Sequence, residues 1–176
     1  MTYTLRPASI SDVPDLARLG RASFVAAFGH LYDAADLATF LREVYADDVI
    51  AREVCDPTRA YRLAWDEERL AAFCKLYWPS PFAHHSDAAN PICLGQLYAD
   101  PACTGRGVGA LLMDWALEFA RAACHDAVQL SVYCDNAGAQ RFYARHGFRK
   151  IADVHFWVGS HRDDEYLYEL RMNGVC

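Results

Sequence analysis

Apolar residues recur along the chain with two periods. Leu16, Leu19, Phe24, Val25 and Phe28 fall on one helical stripe, and Ser11, Asp12 and Pro14 ahead of them are helix-start signals. A second helix is expected over 34–45. Residues 3–8 read as a short edge strand, because Pro7 cannot donate to a ladder on both sides. The stretches 59–65 and 69–77, separated by Asp66-Glu67-Glu68, predict an antiparallel hairpin. Residues 78–91 carry three prolines and two adjacent histidines and read as a loop, followed by a third strand over 92–99.

The most sustained helical pattern comes next. Val108, Leu111, Leu112, Trp115, Ala116, Phe119, Ala120 and Ala123 repeat at helical spacing. A strand is expected over 128–132, then a helix over 137–146 capped by Asp135 or Asn136 and ended by Gly147. Strands over 151–158 and 166–172 close the pattern as a hairpin across the polar segment GSHRDDE. Nothing repeats and no linker interrupts the pattern, so residues 1–176 are expected to form one domain.

Composition narrows the partners. The formal net charge of −6 argues against nucleic acid, whose binding relies on basic surface. No apolar run approaches the length of a membrane span, and the first residues lack the basic-then-apolar pattern of a secretory signal, so a cytoplasmic protein without a membrane partner is expected. The seven cysteines are scattered without a C-x-x-C pair, which suggests neither a disulfide framework nor a metal site.

The informative feature is the turn between the strand ending at Ala99 and the long helix, where Gly105-Arg106-Gly107-Val108-Gly109 stands at the helix start. Closely spaced glycines admit a ligand to the backbone, and the helix N-terminus favours an anion such as pyrophosphate. A turn that only packs the helix on the sheet reads equally well from these letters. The spacing G-x-G-x-G matches neither a Walker A loop nor the dinucleotide fingerprint.

Two segments carry a family resemblance: LYADPACTGRGVGALL at 97–112 and LSVYCDNAGAQRFYARHGF at 130–148. Together they resemble the acetyl-CoA-binding core of the GCN5-related N-acetyltransferases (GNAT). The RPAS start, the SFVAAFGHLY helix and the FWVGSHRDDEYLYEL end resemble the branch of PaiA-type polyamine acetyltransferases. The resemblance implies an α/β (α+β) fold: a twisted, mixed, mostly antiparallel sheet flanked by about four helices, with acetyl-CoA in the splay between two adjacent parallel strands. It implies an acyltransferase with acetyl-CoA as cosubstrate, and no metal is expected. Leu97, Tyr98, Ala99, Thr104, Gly105, Arg106, Gly107, Val108, Gly109, Ala110, Asn136, Ala139, Tyr143 and Arg145 are implied to hold the donor, and Tyr143 to protonate the departing thiolate. Thr104 stands where Gln or Arg is usual, and Cys93 where relatives often carry a Glu as base.

For the acceptor, seven acidic residues between Asp33 and Asp56 against Arg42 and Arg52 suggest either an acidic wall that steers a small cationic amine, such as a polyamine, or a solvated helical surface. Acetylation of a protein N-terminus or lysine, and acyl-CoA binding without turnover, are the alternatives. His84 and His85 are candidates for the mouth of the acceptor site, and the terminal hairpin for a homodimer contact.

Overall fold

In the computed structural model, which describes residues 2–172, the two sequence periods resolve into alternating layers. In chain order the elements are β1 (Thr4–Pro7), α1 (Val13–Phe28), α2 (Ala34–Tyr45), α3 (Asp47–Cys55), β2 (Arg59–Asp66), β3 (Arg69–Tyr77), β4 (Pro91–Ala99), α4 (Val108–Ala122), β5 (Ala127–Tyr133), α5 (Ala137–Arg145), β6 (Arg149–Val158) and β7 (His161–Arg171). The strands form one sheet in the order β1-β2-β3-β4-β5-β7-β6. Only β4 and β5 run parallel; every other neighbouring pair among the described residues is antiparallel. No helix among them is long and apolar enough to cross a membrane.

Each sheet face buries its own apolar cluster. On one face Val108, Leu112, Met113, Ala116 and Ala120 of α4 pack on Cys74, Leu76, Ile92, Val128 and Leu130. On the other, Leu16, Leu19 and Phe24 of α1, with Tyr45 and Ile50, cover Leu63, Leu70 and Phe73. Helix α3 departs from the expected pattern, because its few apolar side chains lie among charges and only Ile50 is buried. Among the described residues Cys55, Cys74, Cys93, Cys103 and Cys134 carry free thiols.

The parallel pair is short. Strands β4 and β5 are in register only over Pro91–Cys93 and Ala127–Gln129, then separate. Lys75 pairs with Gln96 and Leu76 with Leu94, so Gly95 is the extra residue of a bulge that bends β4 away from β5. A Cβ on Gly95 would run into the ring of Tyr77, so only glycine fits the bend. At the closed end, Gln129 is fully buried: it accepts a hydrogen bond from Ser80 Oγ at 2.6 Å and donates to Glu169 at 2.8 Å. Asp126 accepts from the amides of Ala89 and Asn90, which fastens the 78–91 loop to this end.

The last hairpin differs from expectation. It turns at Gly159 and Ser160, and β7 begins at His161, so Asp163 and Glu165 belong to a strand and not to a turn. The run of charges suggests a loop, but alternation along the strand sends Arg162 and Asp164 outward and Asp163 and Glu165 inward. The carboxylate of Asp36 on α2 accepts from the amide and hydroxyl of Ser160 and pins the turn to the helical layer.

The start of α1 is held by Asp12. Its carboxylate accepts two hydrogen bonds from Arg6 of β1, at 2.5 and 2.7 Å, and one from the Ser9 amide, and the Arg6 bond holds its pKa down at about 2. A carboxyl held below its unfolded value stabilises the fold above that value and loses the contribution as pH falls toward the folded one. Asp12→Asn is expected to lower stability by about 2 kcal/mol at neutral pH. The gap from wild type should close in acid between pH 3.8 and about 2 in thermal unfolding. Equal unfolding temperatures at neutral pH would contradict this role.

Candidate functional site

The separation of β4 from β5 opens a cleft of about 430 Å³ between the sheet and the α1–α2 layer. Along β4 the side chains alternate: Leu97 and Ala99 join the α4 face, while Gln96 and Tyr98 look into the cleft. Facing them are Phe24, Phe28, Tyr32, Phe40 and Tyr45 from the helical layer, Tyr133 from β5 and Phe156 from β6. These rings form a continuous wall, with Phe24 and Phe40 4.5 Å apart, Phe40 and Phe156 5.7 Å, and Phe28 and Tyr133 6.2 Å. Tyr45 donates to Tyr98 and accepts from Gln96 Nε2 at 3.0 Å, which fixes the β4 side chains against α2. The hydroxyl of Ser23 is buried on this wall with no hydrogen-bond partner among the described residues.

On the α4 side of the splay lies the glycine turn. Asp100 is anchored by its amide to the Ala71 carbonyl at 2.8 Å and by its carboxylate to Arg69 at 3.6 Å, so the turn leaves the sheet from a fixed point. Gly105 and Gly107 adopt φ of 76° and 85°, and a Cβ on either would meet nothing within 4 Å. The first amides of α4 therefore stand beside open space at the positive end of a 15-residue helix. Thr104 and Arg106 are exposed on this turn and Ala110 lies just inside α4, whereas the Val108 side chain is buried in the core and leaves only its backbone to a ligand. A Cβ at Gly109 would lie 3.7 Å from the Phe142 ring, so α5 packs against the start of α4 there.

Helix α5 completes the site. Asn136 is its N-cap, accepting from the Ala139 amide at 3.0 Å, and Asn136, Ala139 and Tyr143 all line the cleft. Burial, with Cys74 and Tyr98 nearby, pushes the Tyr143 phenol above its ordinary pKa, so it carries its proton at neutral pH. Arg145 is exposed near the end of α5 and does not line the cleft.

The candidate proton acceptors separate by position. Cys93 is buried, and its thiol is pushed up to about 12 by burial, against the opposing effects of the Tyr77 hydrogen bond and Lys75. It is no base at neutral pH. His84 and His85 sit in the loop fastened at the closed end of β4 and β5, and neither lines the cleft. Most acidic residues of 33–56 are engaged elsewhere: Asp33 caps α2, Asp36 holds Ser160 and Asp48 pairs with Arg52 at the surface, and largely buried Glu53 binds Lys75 and Arg59. The part of this segment that faces the cleft is Phe40, Val44 and Tyr45. The carboxylates in the cleft are instead Asp163 and Glu165. Sequence reasoning missed both; their alternate spacing, i and i+2, was the available signal.

No group of three or more His, Cys, Asp or Glu among the described residues is placed to hold a metal ion. Residues 25–148 match the acetyltransferase (GNAT) family. The chain is 24% identical over 159 residues to an uncharacterized N-acetyltransferase in the pepI 3′ region of Lactobacillus delbrueckii subsp. lactis, covering 90% of this chain and 91% of the relative. It is 30% identical over 103 residues to the aminoalkylphosphonate N-acetyltransferase of Salmonella typhimurium, covering 58% of this chain and 65% of that one. Among solved structures, the PaiA N-acetyltransferase from Thermoplasma acidophilum in complex with coenzyme A aligns with a TM-score of 0.80 at 21% identity, over 98% of this chain and 100% of the other. With the family match spanning both the splayed strands and the glycine turn, the chain belongs to the acetyltransferase (GNAT) family and is an N-acetyltransferase that uses acetyl-CoA.

Proposed function

We propose that the protein acetylates the primary amine of a small cationic acceptor, of which a polyamine is one example, and that the amine reaches the thioester through the aromatic cleft. The observation that carries this reading is the cleft itself: an aromatic wall that favours an organic cation, with Asp163 and Glu165 in its lining. The buried, unpartnered Ser23 hydroxyl adds a polar contact for an acceptor. The small amine named for the Salmonella relative supports a small-molecule acceptor over a polypeptide one.

Bound acetyl-CoA supplies an acyl group already activated on a thiolate leaving group. The residues fit that donor. The backbone of Gly105 and Gly107 faces open space and leads into the N-terminus of α4, which suits its pyrophosphate, with Thr104 and Arg106 on the same turn. Beyond Cys93 the β5-facing edge of β4 has no ladder partner, so the backbone of Leu97, Tyr98 and Ala99 is free to hydrogen-bond the pantetheine arm and the thioester oxygen. Asn136 and Ala139 border the same gap, and Arg145 lies farther along α5 toward solvent. Tyr143 supplies a proton to the leaving sulfur, a role that needs a phenol that stays protonated.

Three measurements test this reading. A thiol-release assay with acetyl-CoA and a panel of amines, including spermidine and a peptide, is expected to show turnover of small cationic amines. Coenzyme A binding with no release for any amine would leave only a binding module, and preference for the peptide would favour protein acetylation. On the acetylated amine, Tyr143→Phe is expected to reduce kcat by about 100-fold, with the acetyl-CoA dissociation constant within about twofold of wild type; unchanged kcat removes Tyr143 from its role. For the glycine turn, Gly107→Val places a β-branched residue at positive φ and occupies the open space beside the turn, and acetyl-CoA affinity measured by calorimetry should fall about tenfold. Wild-type affinity in that variant would argue that the phosphates bind elsewhere.

A further inference from the structure

An ammonium ion cannot attack a thioester until it gives up a proton, and neither Cys93, held protonated by burial, nor His84 and His85, remote from the cleft, can take it. Two carboxylates remain there. Asp163 is fully engaged: Tyr32 donates its hydroxyl to one oxygen, and His161 Nε2 lies 3.2 Å from the other. Glu165, two residues on along the same face of β7, lies opposite Tyr133 of β5 and Val154 of β6. Its carboxylate accepts a hydrogen bond from the hydroxyl of Ser131 on β5. The other titratable groups that face it are Asp163 on its own strand, Tyr98 on β4 and Tyr32 from the segment between α1 and α2. Lys75 on β3 also lines the cleft, but its ammonium is paired with Glu53 at 3.1 Å.

Resting on the proposed acetylation of a cationic amine, we infer that Glu165 is the group that takes the acceptor's proton. The surroundings suit that task. Burial among aromatic rings, reinforced by Asp163 and opposed by Ser131, raises the Glu165 carboxyl above the usual carboxylate range, which makes it a stronger base than an exposed glutamate. The protons balance. Of the three on the acceptor ammonium, one passes to Glu165 and on to water before the nitrogen lone pair attacks the thioester carbonyl. As the C–N bond forms and the C–S bond breaks, Tyr143 protonates the departing sulfur. The second nitrogen proton restores the Tyr143 phenol by way of solvent, and the third stays on the amide.

The test is Glu165→Gln, which keeps the shape and removes the base. With an amine that the wild type acetylates, kcat/KM near neutral pH should fall about 100-fold. The wild-type profile should show an acid limb at a pH above the ordinary glutamate range, and the variant should lack that limb and recover as pH approaches the pKa of the amine. Unfolding temperature and acetyl-CoA affinity should match wild type, which separates loss of a base from loss of structure. A variant with wild-type kcat/KM overturns the inference. So does one that loses activity by the same factor at every pH with the acid limb intact, since that marks a structural role. Failure of the wild type to acetylate any amine would instead overturn the parent reading, and this inference with it.

Discussion

The site depends on one interruption of hydrogen bonding. A parallel strand pair normally continues for the length of its shorter member, and here it stops after three residue pairs because Gly95 inserts a bulge into β4. From that point β4 stays paired with β3, and β5 with β7, so both strands remain anchored on their outer sides while the gap between them widens. The backbone groups freed in the gap are held rigidly by well-packed neighbours. The closed end is equally defined, because Gln129, Ser80 and Glu169 satisfy one another inside the sheet and fix where the separation begins.

From this constraint follows a division of labour between the two sheet faces. The α4 face presents an open helix N-terminus behind two left-handed glycines, a place for phosphate charge. The opposite face presents aromatic rings and two carboxylates, a place for an organic cation. The faces communicate only through the gap, where Tyr143 from α5 and Tyr98 from β4 approach one another. On the proposed reading donor and acceptor enter from opposite sides of the sheet, and the negative charge that meets the acceptor is that of two carboxylates turned inward, not of the segment where acidic residues are densest in the sequence.

Much of this is legible in the amino-acid order. Helices α1, α2, α4 and α5 announce themselves by apolar spacing and caps, and Gly105 and Gly107 at a strand-to-helix junction mark a turn with positive φ. Local signals fail where burial and charge disagree. Asp163 and Glu165 resemble turn residues by type, and only the pairing of β7 with both β5 and β6 reveals that they point inward. The acidic run from 33 to 56 resembles a binding wall by composition, yet its carboxylates are spent on caps and ion pairs that require distant partners such as Ser160 and Lys75. Cys93 is legible as a small buried residue, and its Tyr77 neighbour across the β3–β4 ladder confirms that environment.

The central claim is that the β4–β5 gap and the glycine turn together receive acetyl-CoA while the aromatic cleft remains open to the acceptor. Amide hydrogen exchange with and without acetyl-CoA tests it directly. Protection is expected to rise at residues 97–99 and 105–110 and to change little along 84–90, the loop at the closed end of the pair. Binding of acetyl-CoA that leaves exchange at 97–99 and 105–110 unchanged would contradict the account.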